Sequence, residues 1–144
     1  MPLVRFPDGT AVEGLAHSER CVQKPSRDFG LYLDPCWAPS WHAETLTWPD
    51  HGVPADPLSA GRSICRAFAR AQQGQHVEVG CIGGLGRTGT VLACMAILAG
   101  VPVADAVPWV RRHYRPCAVE TLEQEAWVAW FGDHFSAPFP PQRA

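Results

Sequence analysis

Residues 76–89 have the sequence HVEVGCIGGLGRTG, and no proline or charged residue follows until after residue 99. The first four residues predict a short strand that leads into a glycine-rich turn. The segment from Arg87 to Ala99 is apolar nearly all round, as expected for a central helix covered on both sides. A strand, a glycine-rich turn and a buried helix in this order predict one unit of an α/β fold.

The residues before this stretch predict a hairpin, two strands and one helix. The segments LVRF and AVEG flank an Asp-Gly turn, which supplies the positive φ angles that a tight hairpin requires. Residues 31–33 and 44–48 are short strand candidates, separated by a loop rich in Pro and Trp. Asp56 is the expected N-cap of a helix with Pro57 at its first position, and Gly74 lies where that helix is expected to end.

The residues after the central helix predict two further helices. Asp105 is the expected N-cap of one that ends near residues 115–116, and the other begins at Thr121. The expected fold is α/β, with a mainly parallel central sheet flanked by helices on both faces and a small N-terminal β-hairpin. We expect residues 1–136 to form a single domain and residues 137–144 to form a Pro-rich C-terminal tail.

The composition is that of a globular protein, with 144 residues, 47% hydrophobic residues, 18% charged residues and a formal net charge of -2. This balance argues against a protein that binds nucleic acid or a membrane surface, and no apolar run approaches the roughly 20 residues of a membrane helix. The N-terminal residues lack the pattern of a signal peptide. Six cysteines without a CxxC pair argue against a zinc site or a disulfide framework and favour a reducing compartment. We therefore expect a cytoplasmic monomer.

Three interpretations compete for the glycine-rich turn. Gly84, Gly86 and Gly89 satisfy the GxGxxG pattern of dinucleotide-binding proteins, with Asp105 about twenty residues further along. In that fold, however, the acidic residue follows a second strand, whereas Asp105 lies between two predicted helices. A nucleoside triphosphatase loop would need a Gly-Lys-Ser/Thr sequence, which is absent. The third interpretation is an anion-binding loop that holds a cysteine nucleophile.

This third interpretation depends on Cys81 and Arg87, which flank five residues that include three glycines. The glycines allow successive N–H groups to point inward, and the following helix directs its partial positive charge at the same point. Such surroundings favour a thiolate as well as a phosphate; Arg87 can bind two phosphoryl oxygens, and Thr88 can donate to the sulfur. Cys21 and Arg27 have the same spacing, but the residues between them include a proline and no glycine.

Asp50 is the candidate proton donor. A phosphate monoester releases a poor leaving group unless the departing oxygen is protonated. Asp50 lies in the sequence TWPDHGVP just after a predicted strand, with a rigid proline before it and Gly52 as a candidate hinge after it. Taken alone, the same position is also typical of an ordinary turn residue.

Three segments together resemble the cysteine-dependent protein tyrosine phosphatase superfamily, in its compact dual-specificity-like branch: residues 48–50, 81–89 and 115–124. The ordered match covers most of the chain. The resemblance implies the phosphatase fold and a substrate-binding cradle around the phosphate. The cradle would consist of the Arg87 side chain and the backbone of Ile82, Gly83, Gly84, Leu85, Gly86 and Arg87.

The same resemblance implies the role of each catalytic side chain. Cys81 is the expected nucleophile, and Asp50 is the expected general acid. Thr88 would assist formation and departure of the thiolate. Gln124 would orient the hydrolytic water, although Thr121 and Gln124 also have the spacing of a helix capping box.

The sequence departs from the family pattern immediately before the nucleophile. Gly80 stands where the family usually has a histidine that supports the loop, so some of that support must come from elsewhere or be missing. By the same resemblance, Cys117 is a candidate for a protective disulfide with Cys81 on oxidation.

The implied reaction is hydrolysis of a phosphoric monoester on a protein or peptide through a phosphocysteine intermediate, without a metal or cofactor. Because the thiol must be ionised while the aspartic acid is protonated, we expect a bell-shaped rate profile with a mildly acidic optimum. Two alternatives are an inactive phosphopeptide-binding module of the same fold and a redox or sulfur-transfer protein, which would leave Asp50 without a role. The sequence does not select among phosphotyrosine, phosphoserine and phosphothreonine.

Overall fold

The computed structural model of the chain describes residues 3–19, 27–37 and 39–135. Five strands and four α-helices lie in this part of the chain, together with 3₁₀ turns at His17–Glu19 and Val103–Asp105. The predicted tail, residues 137–144, and Cys21 lie outside the described residues. The elements are β1 (Leu3–Arg5), β2 (Ala11–Ala16), β3 (Phe29–Tyr32), β4 (Ala43–Thr45), α1 (Pro57–Gln72), β5 (Val77–Cys81), α2 (Gly86–Leu98), α3 (Ala106–His113) and α4 (Leu122–Phe135).

The strands form one sheet in the order β1-β2-β5-β3-β4. β1 and β2 are antiparallel and form the predicted N-terminal hairpin, while every other neighbouring pair is parallel. The prediction of an α/β fold with a mainly parallel sheet is therefore confirmed. β5 lies at the centre, between β2 and β3, so the glycine-rich turn leaves the sheet at its middle.

The helices bury their apolar sides in one core with the sheet. Asp56 caps α1 by accepting the N–H of Ser59, and Pro57 occupies the first helical position as predicted. Ile64 and Phe68 of α1 are buried, and α2 is buried along nearly its whole length. Within the described ranges, no helix is both long and apolar enough to cross a membrane.

The other face of the sheet carries a smaller buried cluster of Leu15, Tyr32 and Trp37. In the described part of the chain, this cluster contains no residue of the four α-helices. The sequence predicts helices on both faces of the sheet, but aromatic rings cover the strands on this face. Trp37 stacks on Tyr32, with their ring centroids 4.3 Å apart. Trp37 belongs to the loop that follows β3.

Glu78 of β5 lies on this aromatic face. The sequence predicts a half-buried carboxylate with a donor partner, and the side chain is more deeply buried, at 2% exposed. Its Oε1 accepts a hydrogen bond from Arg27 Nε at 3.1 Å, and its Oε2 accepts one from the Tyr32 hydroxyl. These partners compensate the cost of burying the carboxylate inside the sheet.

Candidate active site

Cys81, the predicted nucleophile, is the last residue of β5 and begins residues 81–87, which we call the nucleophile loop after that prediction. Its sulfur accepts hydrogen bonds from the Gly84 N–H at 3.1 Å and from the Thr88 hydroxyl at 3.0 Å. The residue is 2% exposed. Both donors stabilise a thiolate more than a neutral thiol, because hydrogen bonds to an ionised acceptor are the stronger ones. The structure thus brings Cys81 and Thr88 together.

Four carbonyl groups of the nucleophile loop are bonded to donors outside the loop. The C=O and N–H of a trans peptide point in opposite directions, so fixing these carbonyls outward directs the N–H groups inward. Converging N–H groups form an anion-binding concavity. The four pairs are Ile82 O with His17 N–H (3.2 Å), Gly84 O with the Tyr114 hydroxyl (2.5 Å), Leu85 O with Gly89 N–H (2.8 Å) and Gly86 O with the Thr90 hydroxyl (2.6 Å).

Gly84 is a position of the nucleophile loop that requires glycine. Its φ is +69°, and a Cβ added there would lie 2.5 Å from the backbone nitrogen of Ala16. Glycine is therefore required both for the backbone angle and for the close approach to β2. Ile82 and Gly83, by contrast, are exposed, so this part of the loop is open to solvent.

Arg87 is 4% exposed and connects the nucleophile loop to two other segments. Its Nη1 donates to the carbonyl groups of Leu33 at 2.8 Å and Trp48 at 2.9 Å. Its Nη2 lies 3.5 Å from one carboxylate oxygen of Asp34 and 3.5 Å from one of Asp50. These contacts hold the guanidinium in one orientation before any substrate binds.

The acid loop, residues 48–53, carries Asp50 at the side of Arg87. Asp50 is 63% exposed, whereas Trp48 is buried. Gly52 closes the loop, because its N–H donates to Pro49 O and its carbonyl accepts from Trp48 Nε1 at 2.8 Å. The sequence predicts Gly52 as a hinge, but these hydrogen bonds fix it in a closed turn. His51, between Asp50 and Gly52, has a φ of +61°, a conformation rare in residues other than glycine.

Gln124 joins the acid loop to the start of α4. Its Nε2 donates to Gly52 O at 3.1 Å, while its Oε1 accepts from the N–H groups of Glu120 at 2.8 Å and Thr121 at 3.3 Å. The Thr121 hydroxyl accepts the Gln124 N–H at 3.1 Å, which completes the predicted capping box. Gln124 is fully buried, so its structural function is established by its contacts.

A family model described as protein-tyrosine phosphatase matches residues 36–129, a range that includes the acid loop, the nucleophile loop and Gln124. The chain belongs to the protein-tyrosine phosphatase family. Membership makes it a cysteine-dependent protein phosphatase, and the resemblance to this family found in the sequence is confirmed.

Individual proteins and solved structures are also similar to this chain. The phosphatase is 38% identical over 111 residues to the uncharacterized protein MJECL20 of Methanocaldococcus jannaschii, covering 68% of this chain and 71% of that protein. It is 37% identical over 86 residues to receptor-type tyrosine-protein phosphatase V of Rattus norvegicus, covering 54% of this chain and only 5% of that protein. Among solved structures, Tk-PTP in its active form has a TM-score of 0.73 and 23% identity, covering 92% of this chain and 97% of that chain, which shows a shared fold.

The space in front of Gly80 explains why the phosphatase has no side chain at the position before Cys81. A Cβ added to Gly80 would lie 2.5 Å from Cζ2 of Trp37. Gly80 pairs with Tyr32 across β5 and β3, and the Trp37 ring stacks on that tyrosine. The indole therefore occupies the volume in which the usual histidine would begin.

The other free thiols of the described residues differ from Cys81 in their surroundings. Desolvation and the Asp34 carboxylate raise the pKa of Cys36 to about 11, and burial raises the pKa of Cys94. Both therefore stay protonated near neutral pH. Cys117 is an exposed free thiol, and its disulfide with Cys81 stays a prediction.

Three residues near the site were not found by sequence reasoning: Asp34, Trp37 and Tyr114. Asp34 had a usable signal, since it follows β3 closely and β3 runs parallel to β5. The carboxyl ends of parallel strands meet at one edge of a sheet, where ligands bind. Trp37 and Tyr114 had no such signal, because their positions depend on packing between distant segments.

Proposed function

We propose that the phosphatase hydrolyses phosphoric monoesters on proteins or peptides with Cys81 as nucleophile and Asp50 as general acid. The observation that carries this proposal is the convergence on one sulfur of two hydrogen-bond donors and a loop of outward-bonded carbonyls. Arg87, the neighbour of Asp50, lies at the same loop. A structural cysteine needs none of these groups.

In the first step, the Cys81 thiolate attacks phosphorus, and the bond from phosphorus to the leaving oxygen breaks. The proton of the Asp50 carboxyl group passes to that oxygen. The negative charge on the equatorial oxygens is stabilised by the N–H groups of the nucleophile loop and by Arg87. The Arg87 Nε has no hydrogen-bond partner among the described residues, and we assign it as a donor to one of these oxygens.

In the second step, water attacks the phosphocysteine, and the Asp50 carboxylate takes its proton. The sulfur–phosphorus bond breaks and returns the thiolate, which the Thr88 hydroxyl stabilises. Gln124 has one side-chain N–H beyond the one bonded to Gly52, and we assign this N–H to orienting the water. Every group in the cycle is thereby restored.

The test is hydrolysis of phenyl phosphate by the intact protein, by Cys81→Ser and by Cys65→Ser, the matched control that makes the same exchange at a free thiol of α1. We expect activity in the intact protein and the control, and none in Cys81→Ser. Rapid acid quench should trap a phosphoenzyme only when Cys81 is present. Phosphate release that survives Cys81→Ser would contradict the proposal, and phosphopeptide retention without turnover would favour the binding module.

Phosphorylated proteins or peptides are the proposed partners, which suits an open loop with Ile82 exposed beside the nucleophile. A cytoplasmic location is proposed from the five free cysteines among the described residues, because free thiols persist in reducing compartments. Activity towards phosphotyrosine, phosphoserine and phosphothreonine peptides, measured side by side, would define the substrate class.

A further inference from the structure

Tyr114 follows directly after α3 and lies against the nucleophile loop from outside. Its hydroxyl donates to the Gly84 carbonyl at 2.5 Å. The ring packs where β2 has no side chain, since a Cβ added to Gly14 would lie 2.8 Å from Cε1 of Tyr114. The absence of a side chain at Gly14 thus leaves room for the Tyr114 ring, whose hydroxyl reaches the nucleophile loop.

This hydrogen bond differs from the others that hold the nucleophile loop. Ile82 O accepts a backbone N–H, Leu85 O accepts the backbone N–H groups of Gly89 and Val119, and Gly86 O accepts the Thr90 hydroxyl of α2. In the four pairs described above, Gly84 O is the carbonyl held by a side chain from a separate element. The peptide between Gly84 and Leu85 is trans, so an outward Gly84 carbonyl directs the Leu85 N–H inward.

The surroundings of Tyr114 keep the hydroxyl in place as a donor. Burial raises the pKa of Tyr114 to about 12, so the phenol stays protonated throughout the pH range in which a phosphatase works. Arg115 lies over the phenol ring, with Cζ 5.3 Å from the centroid, and donates to Glu19 at 2.7 Å. The other oxygen of Glu19 accepts the Ala16 N–H at 2.8 Å, which ties this group to the end of β2.

We propose that Tyr114 is a positioning residue whose hydroxyl holds the Gly84–Leu85 peptide so that the Leu85 N–H faces the phosphoryl oxygens. It supplies from outside the loop part of the support that no side chain at Gly80 can give. This role rests on the proposed function, because it assigns Leu85 N–H to the same oxyanion that Cys81 attacks.

The experiment compares Tyr114→Phe with Tyr32→Phe. Each variant loses one hydrogen-bonded phenolic hydroxyl, but the Tyr32 hydroxyl bonds Glu78 and Trp41 and not the nucleophile loop. Tungstate affinity is measured by calorimetry well below the unfolding temperature, and kcat and KM are measured with phenyl phosphate. For Tyr114→Phe we expect tungstate affinity about fivefold weaker and kcat lower by at least that factor, as for one lost hydrogen bond to the loop.

Tyr32→Phe should keep tungstate affinity and kcat within about twofold of the intact protein, even where its stability falls. Gly14→Ala provides a second route, because it keeps the hydroxyl but displaces the ring, and it should also weaken tungstate binding. Unchanged tungstate affinity and kcat in Tyr114→Phe would overturn the positioning role while leaving the proposed function intact. Equal losses in Tyr32→Phe would overturn it too, and an intact protein that binds no tungstate would overturn both proposals.

Discussion

The nucleophile loop and the acid loop meet at Arg87 but are held in different ways. Cys81 and Arg87 are almost wholly buried, and four carbonyl groups between them are fixed by donors outside the loop. Asp50 is 63% exposed and lies at the tip of a turn whose base is fixed through Gly52 and through the Trp48 carbonyl. The groups that would bind phosphate are thus preorganised, whereas the group that would meet the leaving oxygen is accessible to substrates of different shape.

The largest expected effect is that of Arg87→Lys, because Arg87 serves both loops. A single ammonium group cannot bond Leu33 O and Trp48 O and also present a planar pair of donors to the phosphoryl oxygens. We expect kcat/KM for phenyl phosphate to fall by about 10² to 10³-fold.

The matched control is Arg66→Lys, in which an exposed arginine paired with Glu44 is replaced in the same way. It should retain full activity, since surface ion pairs contribute little. A loss below about tenfold in Arg87→Lys would show that positive charge alone is sufficient at this position.

The next largest effect is expected for Asp50→Asn, which distinguishes the contribution of the acid loop from that of the nucleophile loop. We expect kcat for phenyl phosphate to fall by about 10²-fold, because the leaving phenoxide is no longer protonated, and kcat for p-nitrophenyl phosphate to fall much less. Tungstate affinity should not weaken, since the nucleophile loop is untouched. Equal losses with both leaving groups would contradict the role of Asp50 as general acid.

Gly80→Ala tests how tightly the base of the nucleophile loop is packed. The new methyl group would overlap the Trp37 ring, so we expect the free energy of unfolding to fall by about 1–3 kcal/mol, as measured by urea denaturation. Gly83→Ala is the control for stability, because a Cβ at that position has no atom within 4 Å. Equal stabilities of the two variants would show that Trp37 yields without cost.

The smallest expected effect is that of Glu19→Gln. Although desolvation raises the pKa of Glu19, the Ala16 N–H and Arg115 outweigh it and hold the pKa below its ordinary value of 4.5. The ionised carboxylate therefore stabilises the folded state above pH 4.5, and this contribution is lost as the pH falls through the lowered pKa.

Urea denaturation at pH 7 should show the intact protein more stable than Glu19→Gln by a few tenths of a kcal/mol, as for a partly exposed ion pair. The difference should shrink as the pH falls through the lowered pKa of Glu19 and disappear below it. A difference that grows on acidification would reverse the assigned sign.

The parts of the site that are local in sequence were predictable. Thr88 lies seven positions from Cys81, and its hydroxyl bonds the sulfur as expected. The capping box of Thr121 and Gln124 follows from a spacing of three residues. In such cases turn and helix geometry alone bring the groups together.

The parts that depend on distant segments were not predictable. Glu78 accepts a hydrogen bond from Arg27, 51 positions away, and Gly84 O accepts one from the Tyr114 hydroxyl across 30 positions. No local pattern encodes these contacts, because they exist only after the strands and helices have packed. The second face of the sheet is the clearest case, since stacked aromatic rings cover it and the hydrophobic periodicity does not predict them.

The shared volume of Trp37 and position 80 has an evolutionary consequence. Since an imidazole and an indole cannot both occupy it, neither position is free to change alone. Homologous sequences with histidine before the nucleophile should carry a smaller residue at the place of Trp37, and those with glycine should carry a large ring there. Covariation between these two alignment columns would record that exchange.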